Sequence, residues 1–145
     1  MIKDVIISVK GVQGIDDQSD TVELTTEGRF GIKDDKYFLS YEEGRLIENG
    51  LCKTRIHINS PDSVVLQRKG AIESRMEIEK GKRNSCFYVT PVGELCIGIY
   101  GERVEVDLNE SGGTIKLVYN IDSDLRLISR NTVEITVKEV EKCQL

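Results

Sequence analysis

The stretch that decides the fold is RVEVDLN, residues 103–109. Within it, Val104, Val106 and Leu108 alternate strictly with charged or polar residues. A period of two places apolar side chains on one face of an extended chain and polar side chains on the other, as in an antiparallel strand with one face in water. The same alternation returns in TVEITVK, residues 132–138, so several strands of this kind are expected.

The composition extends that expectation to the whole chain. The 145 residues include 14 valines, 16 isoleucines and 8 threonines but a single alanine. Because β-branched residues prefer strands and alanine is the best helix former, this balance favours an all-β fold. Hydrophobic residues make up 39% and charged residues 31%, which is ordinary for a globular domain, and we expect one domain over residues 1–145.

Clusters of Gly, Asp, Asn and Pro divide the alternating runs and predict tight turns, among them Asp34-Asp35 and Gly101-Glu102. The polar stretch Gly14–Asp20 predicts a mobile loop, and residues 42–48 are expected to form at most about one turn of helix. Some neighbouring segments are expected to be one bent strand. The predicted strands cover residues 2–10, 20–28, 29–33, 36–42, 51–59, 63–69, 71–80, 84–90, 93–100, 102–109, 113–121 and 125–138.

Consecutive strands joined by tight turns predict an antiparallel meander of about 8–10 strands. An open sheet of this kind leaves two edges unpaired, and closing it into a barrel pairs both. A closed barrel is therefore the expected architecture. A β-sandwich is the alternative, but it needs long crossover connections, and the candidates for these lie near residues 11–20 and 43–50.

A set of short motifs spread over nearly the whole chain carries a family resemblance. In chain order they are Tyr41-Glu42-Glu43, Lys53-Thr54, Arg68-Lys69-Gly70, Arg75-Met76, Glu79, Gly81, Tyr88, Thr90-Pro91, Gly93-Glu94-Leu95, Leu108, Glu110, Gly112-Gly113, Ile115, Leu117 and Tyr119. Together they resemble the YwiB-like family of small bacterial proteins, with a departure at Ile78, where an aromatic residue is expected. The resemblance implies a calycin-like (lipocalin-like) β-barrel of unknown function, with no catalytic residue or cofactor to carry over.

The charge of the chain limits its partners. The 20 Lys and Arg residues against 25 Asp and Glu give a formal net charge of −5. Nucleic acids and anionic membranes attract a surplus of cations, so neither is an expected partner. No apolar run resembles a secretory signal or approaches the roughly 18 residues of a membrane-spanning helix, and a cytoplasmic location is expected.

The cysteines are expected to be free thiols. Cys52, Cys86, Cys96 and Cys143 lack the spacing of a zinc or redox motif. Cys86 and Cys96 flank a predicted turn and are expected to lie close to each other. A reducing cytosol nevertheless keeps such thiols unpaired.

Motifs that mark enzymes and cofactor sites are absent from the sequence. It contains no Gly-rich phosphate loop, no nucleophile elbow and no calcium loop, so no cofactor and no metal are expected. His57 is the one histidine, and its neighbours Ile56 and Ile58 predict that it lies on the opposite, outer face. Most carboxylates occupy the polar positions of alternating strands, which is typical of a solvated face. No catalytic residue is therefore identified.

Arg68 departs from the alternating pattern and is the leading candidate for a ligand-binding residue. It follows Val64 and Leu66 at intervals of two residues and therefore lies on the same face of the strand, so it faces the barrel interior if they do. A buried guanidinium needs a carboxylate or an anionic ligand as its partner, whereas an arginine at a strand end also reaches water along its aliphatic stem. Tyr37 and Tyr41 share a parity as well, and are expected to line the same interior as core residues or with hydroxyls that orient a ligand.

Three functions remain open from the sequence. The first is a barrel that binds a small apolar or anionic ligand without catalysis, and it ranks first because a barrel of this size can hold one small ligand. The second is a filled barrel that acts as an interaction module and forms a homodimer through the outward residues Val118, Cys96 and Tyr100. The third and last is an enzyme that uses carboxylates or His57 in the lumen.

Overall fold

The computed structural model of this protein describes residues 2–43, 52–70, 73–90 and 93–140. Of the helical turn expected over 42–48, residues 44–48 lie outside the described residues, and Glu42 belongs to a strand. The described residues form ten strands: β1 Ile2–Ile15, β2 Gln18–Lys33, β3 Lys36–Glu43, β4 Cys52–Ser60, β5 Ser63–Gly70, β6 Glu73–Glu79, β7 Arg83–Thr90, β8 Gly93–Asn109, β9 Gly112–Ser123 and β10 Arg126–Glu139.

The ten strands close into a single barrel. Each strand pairs antiparallel with its neighbour in sequence, and β1 pairs with β10 to complete the ring. Val5 of β1, for example, stands opposite Gly28 of β2 on one side and opposite Glu139 of β10 on the other. Closure pairs the backbone of every strand on both sides, whereas an edge strand of an open sheet leaves one side free to pair with another chain. The predicted closed antiparallel meander is confirmed.

β2 and β8 each combine two of the predicted segments into one long strand, as expected for some neighbours. The predicted turn at Gly101 is an irregularity within β8, where the register with β9 shifts between Gly101 and Arg103. A side-chain carbon at Gly101 would lie 2.2 Å from the backbone oxygen of Glu79. Glycine therefore permits the close approach of β8 to β6 at this point.

The prediction of a mobile loop over Gly14–Asp20 is wrong. β1 continues to Ile15 and β2 begins at Gln18, so Asp16-Asp17 alone form the turn. Asp16 has a φ of 55°, a left-handed conformation that aspartate tolerates better than most residues. The stretch is polar because most of it is exposed at the tip of a hairpin. Backbone pairing, rather than an apolar face, holds it in place.

Large apolar side chains fill one end of the barrel. This closed end is the one at which β1 begins and β10 finishes, and Phe30, Leu39, Ile56, Val64 and Ile78 are completely buried there. They come from β2 to β6 and occupy the inward positions of those strands. The closed end is thus a packed hydrophobic core.

A bidentate ion pair ties β7 to β9 across the outside of β8. Arg83 donates from Nε to Oδ2 of Asp122 at 2.9 Å and from Nη2 to Oδ1 at 2.6 Å. The guanidinium lies over Gly98 of β8, where a side-chain carbon would come within 2.3 Å of Nη2. Hydrogen bonding from Arg83 holds the pKa of Asp122 below its ordinary value of 3.8, so acid weakens this link.

The uneven packing predicts an uneven cost of truncation. Ile56→Ala should lower the free energy of unfolding by about 2–5 kcal/mol, because it leaves a cavity in the closed end. Leu95→Ala, at the other end, should cost less than about 1 kcal/mol because Leu95 is 58% exposed. Urea unfolding of both variants measures the difference. Equal costs would contradict the division into a packed end and a loosely filled end.

Candidate functional site

The opposite end of the barrel, at which β1 turns into β2, contains a cavity of about 430 Å³. We call it the chamber, and its volume lies in the range of roughly 300–1,000 Å³ that proteins use for small ligands. Side chains from strands around the ring form its wall. Most of them are aliphatic or Met: Val9, Val12, Val22, Leu66, Met76, Leu95, Ile97, Ile121, Ile128, Val133 and Ile135.

Arg68 lies in the chamber wall. Alternation along β5 turns Val64, Leu66 and Arg68 to the interior, where Val64 and Leu66 are buried and Arg68 is half-buried. The structure therefore has Arg68 in the orientation predicted for a residue that shares the face of Val64 and Leu66. Among the described lining residues, the charged ones are Arg68 and Asp20, and Asp20 is exposed at the rim. The described part of the chamber wall is thus mostly apolar and contains one cation.

Three tyrosines line the chamber together with Arg68. Tyr41 of β3 and Tyr119 of β9 are 5% and 8% exposed, and Tyr88 of β7 is half-buried. Burial raises the pKa of the Tyr119 phenol above its ordinary value of 10.0, and the positive charge of Arg68 partly opposes that rise. These groups are therefore close enough to interact electrostatically.

The structure separates Tyr37 from the other two predicted ligand-binding residues, Arg68 and Tyr41. Tyr37 does share its face of β3 with Tyr41, but four residues of strand place them about 13 Å apart along the barrel. The ring of Tyr37 stacks on Phe30, with centroids 5.3 Å apart and planes at 7°. Tyr37 thus packs at the closed end and does not line the chamber.

Adjacent strands bring five polar residues into one band on the inner wall. Tyr41 pairs with Thr54, Thr54 with Arg68, Arg68 with Ser74, and Ser74 with Tyr88. Thr54 is fully buried and Ser74 is 7% exposed. Neither hydroxyl has a hydrogen-bond partner among the residues that the structure describes. We call these five residues the polar band.

Sequence reasoning missed Thr54, Ser74, Tyr88 and Tyr119 as site residues. Alternation was a usable signal, because Thr54 lies two residues before the buried Ile56 and so shares its face of β4. The other three likewise lie two residues from a buried residue of their own strand. What the sequence lacks is the register that places them side by side, because pairing joins residues that are distant along the chain.

The rim of the chamber exposes apolar side chains. Val22, Leu95 and Ile128 are 42%, 58% and 44% exposed, although all three line the cavity. Asn131, which also lines the chamber, donates from Nδ2 to Oγ of Ser129 at 3.1 Å, so its amide is engaged within the wall. An apolar ligand entering here replaces water at these exposed side chains, which favours its binding.

His57 lies on the outer face of the barrel. It pairs in register with Phe38, and their rings lie 6.4 Å apart. Burial and the nearby cations Arg55, Lys33 and Arg75 all lower the pKa of the imidazole below 6.5. β4 therefore turns this side chain away from the lumen, as the alternation predicts, and the lumen contains no histidine.

The outer face around β7 and β8 exposes more apolar surface than expected. Of the predicted interaction residues, Cys96 is exposed, Tyr100 is 40% exposed and Val118 is only half-exposed. Phe87 was not among the predicted interaction residues, but it is 63% exposed and stands opposite Cys96 in the register. Cys86 is buried inside the barrel, so it and Cys96 lie on opposite faces, and both are free.

Metal-binding clusters and long apolar helices are both absent from the described residues. In the portion of the chain that the structure describes, no group of three or more His, Cys, Asp or Glu side chains is placed to hold a metal ion. That same portion contains no helix with the length and apolar character needed to cross a bilayer.

The fold and the chamber define a class: a closed, ten-stranded antiparallel β-barrel that is packed at one end and hollow at the other. The chain belongs to the family described as a domain of unknown function, DUF1934, which matches residues 7–135. The YwiB-like resemblance in the sequence is confirmed by this match and by the relatives that follow.

The chain is similar to the uncharacterized β-barrel protein YwiB of Bacillus subtilis (strain 168). The two are 27% identical over 117 residues, which cover 81% of this chain and 80% of YwiB. The crystal structure of the ywiB protein from Bacillus subtilis matches with a TM-score of 0.87 at 24% identity, covering 97% of this chain and 94% of that one. The structural likeness shows that the barrel fold is shared.

The raised pKa of Tyr119 predicts a loss of stability in alkali. The phenol stays protonated in the folded protein but ionises near pH 10.0 when unfolded, so the free energy of unfolding should fall as the pH rises above that value. Tyr119→Phe should remove this contribution, whose slope is at most about 1.4 kcal/mol per pH unit. Urea unfolding on both sides of pH 10.0 measures it. Tyr100→Phe, on the outer face, is the control. If the free energy of unfolding falls equally steeply with pH in Tyr119→Phe and Tyr100→Phe, burial of Tyr119 is not the cause of the fall.

Proposed function

We propose that this protein is a non-enzymatic, calycin-like barrel that binds one small apolar or anionic molecule in its chamber. The observation that carries the proposal is the combination of a cavity of about 430 Å³, a wall of aliphatic side chains and, among the described residues of that wall, one cation, Arg68. Aliphatic walls gain free energy by covering an apolar ligand, and a few polar groups suffice to orient it.

The size of the chamber supports a ligand of modest length. At roughly 30 Å³ for each non-hydrogen atom, the volume of a water molecule in the liquid, the chamber holds about 14 such atoms. A ten-carbon chain with a polar end matches this size. Decanoate and 1-decanol are therefore suitable probes, because they share the chain and differ in the charge of the head.

The proposal places the protein in the cytoplasm. Cys86 and Cys96 are free thiols in this structure. A reducing compartment keeps thiols in that state, including the exposed Cys96. The ligand is accordingly expected among small cytoplasmic metabolites with an apolar body.

Filling the chamber from within should abolish binding. We expect decanoate to bind with one-to-one stoichiometry, seen by native mass spectrometry, and to raise Tm. At a hundredfold excess over Kd the added stability is about 2.7 kcal/mol. Val133→Phe puts a bulky ring into the chamber wall and should remove the bound mass and the shift in Tm. Val118→Phe makes the same change on the other face of the neighbouring strand and should leave both in place.

Two results would contradict this proposal. One is the absence of any bound mass or Tm shift with decanoate and with 1-decanol. The other is a loss of binding that is equal in Val118→Phe and Val133→Phe, because the chamber would then not be the site.

A second candidate function is self-association through the outer face, favoured by the exposure of Phe87 beside Cys96 and Tyr100. Covering such a patch with a second copy of the chain removes apolar surface from water. Sedimentation velocity should then show a concentration-dependent dimer that Phe87→Ser weakens about tenfold or more, since burying a Phe contributes about 1.5–3 kcal/mol. Ser85→Ala, also outward on β7, is the control. A monomer at every concentration would rule this function out.

A further inference from the structure

We propose that Thr54 and Ser74, together with Arg68 between them, form a head-group subsite that selects a carboxylate, so that the ligand class is medium-chain carboxylic acids. This deepens the proposed function and rests on it. The juxtaposition comes from register alone, since Thr54 and Ser74 are the direct cross-strand partners of Arg68 on its two sides.

The two hydroxyls are the unusual feature of the polar band. Thr54 is fully buried, Ser74 is 7% exposed, and both side chains point inward. Neither oxygen has a hydrogen-bond partner in the described ranges, which include every strand beside them. Buried hydroxyls are nearly always hydrogen-bonded, because leaving one without a partner costs folding free energy. Two such hydroxyls on either side of one cation are hydrogen-bonding groups that the described residues leave unused, although neither residue lines the chamber itself.

A carboxylate matches the donors of this subsite. Each hydroxyl has one hydrogen to donate and a guanidinium has five, whereas an ionised carboxylate only accepts. Its two oxygens can accept from Arg68 and from one or both hydroxyls, which are charge-assisted bonds and stronger than neutral ones. An ammonium head offers no acceptor and repels Arg68. An alcohol head carries no charge and accepts fewer bonds.

Binding at this subsite requires the Arg68 side chain to move. Both hydroxyl oxygens are covered by protein atoms in this structure. Arg68 is the long, flexible side chain of the band and is only half-buried, so its guanidinium can shift toward the chamber as the head enters. The ligand then lies with its carboxylate against the polar band and its tail along the aliphatic wall toward the rim.

The proposal predicts opposite effects of one substitution on stability and on binding. Replacing a partnerless buried hydroxyl by an apolar group of similar shape is neutral or stabilising. Thr54→Val and Ser74→Ala should therefore leave the Tm of the ligand-free protein unchanged or raise it by up to about 4 °C. The same substitutions should weaken decanoate binding about tenfold or more and leave 1-decanol binding within about twofold.

Calorimetric titration of the full chain with decanoate, 1-decanol and decylamine tests the subsite. The wild-type protein should prefer decanoate over 1-decanol by about tenfold or more and over decylamine by a wider margin. Arg68→Met should reduce that preference, and Arg75→Met, whose side chain is 59% exposed on the outer face, should not. Thr132→Val and Ser85→Ala make the matched hydroxyl deletions at exposed outer positions. Thr54→Ser keeps a hydroxyl in the band and should restore the preference.

The outcomes separate this inference from the function on which it rests. If decanoate and 1-decanol bind equally well, the chamber binds ligands but the head-group subsite is wrong. If neither binds, the proposed function fails and the subsite fails with it. If Thr54→Val and Ser74→Ala lower Tm in the absence of ligand and leave the preference for decanoate intact, the hydroxyls are structural and the inference is overturned. The wild-type preference needs no variant, so the test stands even if one variant does not fold.

Discussion

The pairing of β1 with β10 is the constraint on which the rest of the structure depends. It runs from Val5 opposite Glu139 to Gly14 opposite Arg130, while the other edge of β1 pairs with β2. Closure obliges every strand to present alternate side chains to one shared interior. Ten strands enclose a wider interior than the eight that side chains can just fill, so such a barrel holds a tight core throughout only if its inward residues are large.

The two ends of the barrel meet this requirement differently. At the closed end the inward positions carry residues such as Phe30, Leu39 and Ile56, and the interior is packed. At the open end the inward positions that line the chamber include the smaller residues Val9, Gly11 and Val133, so part of the interior stays hollow. The chamber is therefore a consequence of side-chain volume along an otherwise regular fold.

Charge is also distributed unevenly between the inside and the outside. The chain carries a net charge of −5, and the acids Glu77 and Glu105 lie on the outer face, where each pairs with an arginine. Arg68 is the inward cation of the polar band. A partly desolvated cation in an aliphatic wall attracts an anion more strongly than the same cation in water, because the local dielectric is lower. The outer acids oppose this only weakly, since water and salt screen them.

The sequence by itself determined the alternation, and from it the all-β class, the closed meander and the face that Arg68 shares with Val64 and Leu66. Alternation with a period of two is a local property of the sequence, so the residues of each strand that share a face can be identified from the sequence alone. The sequence also erred locally, as at the Asp16-Asp17 hairpin, where polar composition suggested a loop although the backbone pairs to the turn.

Only the tertiary structure decided which inward residues meet. Parity placed Tyr37 and Tyr41 on one face, but the length of β3 assigns them to opposite ends of the barrel. The strand register, in turn, places Thr54 and Ser74 beside Arg68. The chamber exists because the ten strands close into a ring around it. The physical reason is that alternation depends on adjacent residues, whereas register and enclosed volume depend on the contacts of residues that are far apart in the chain.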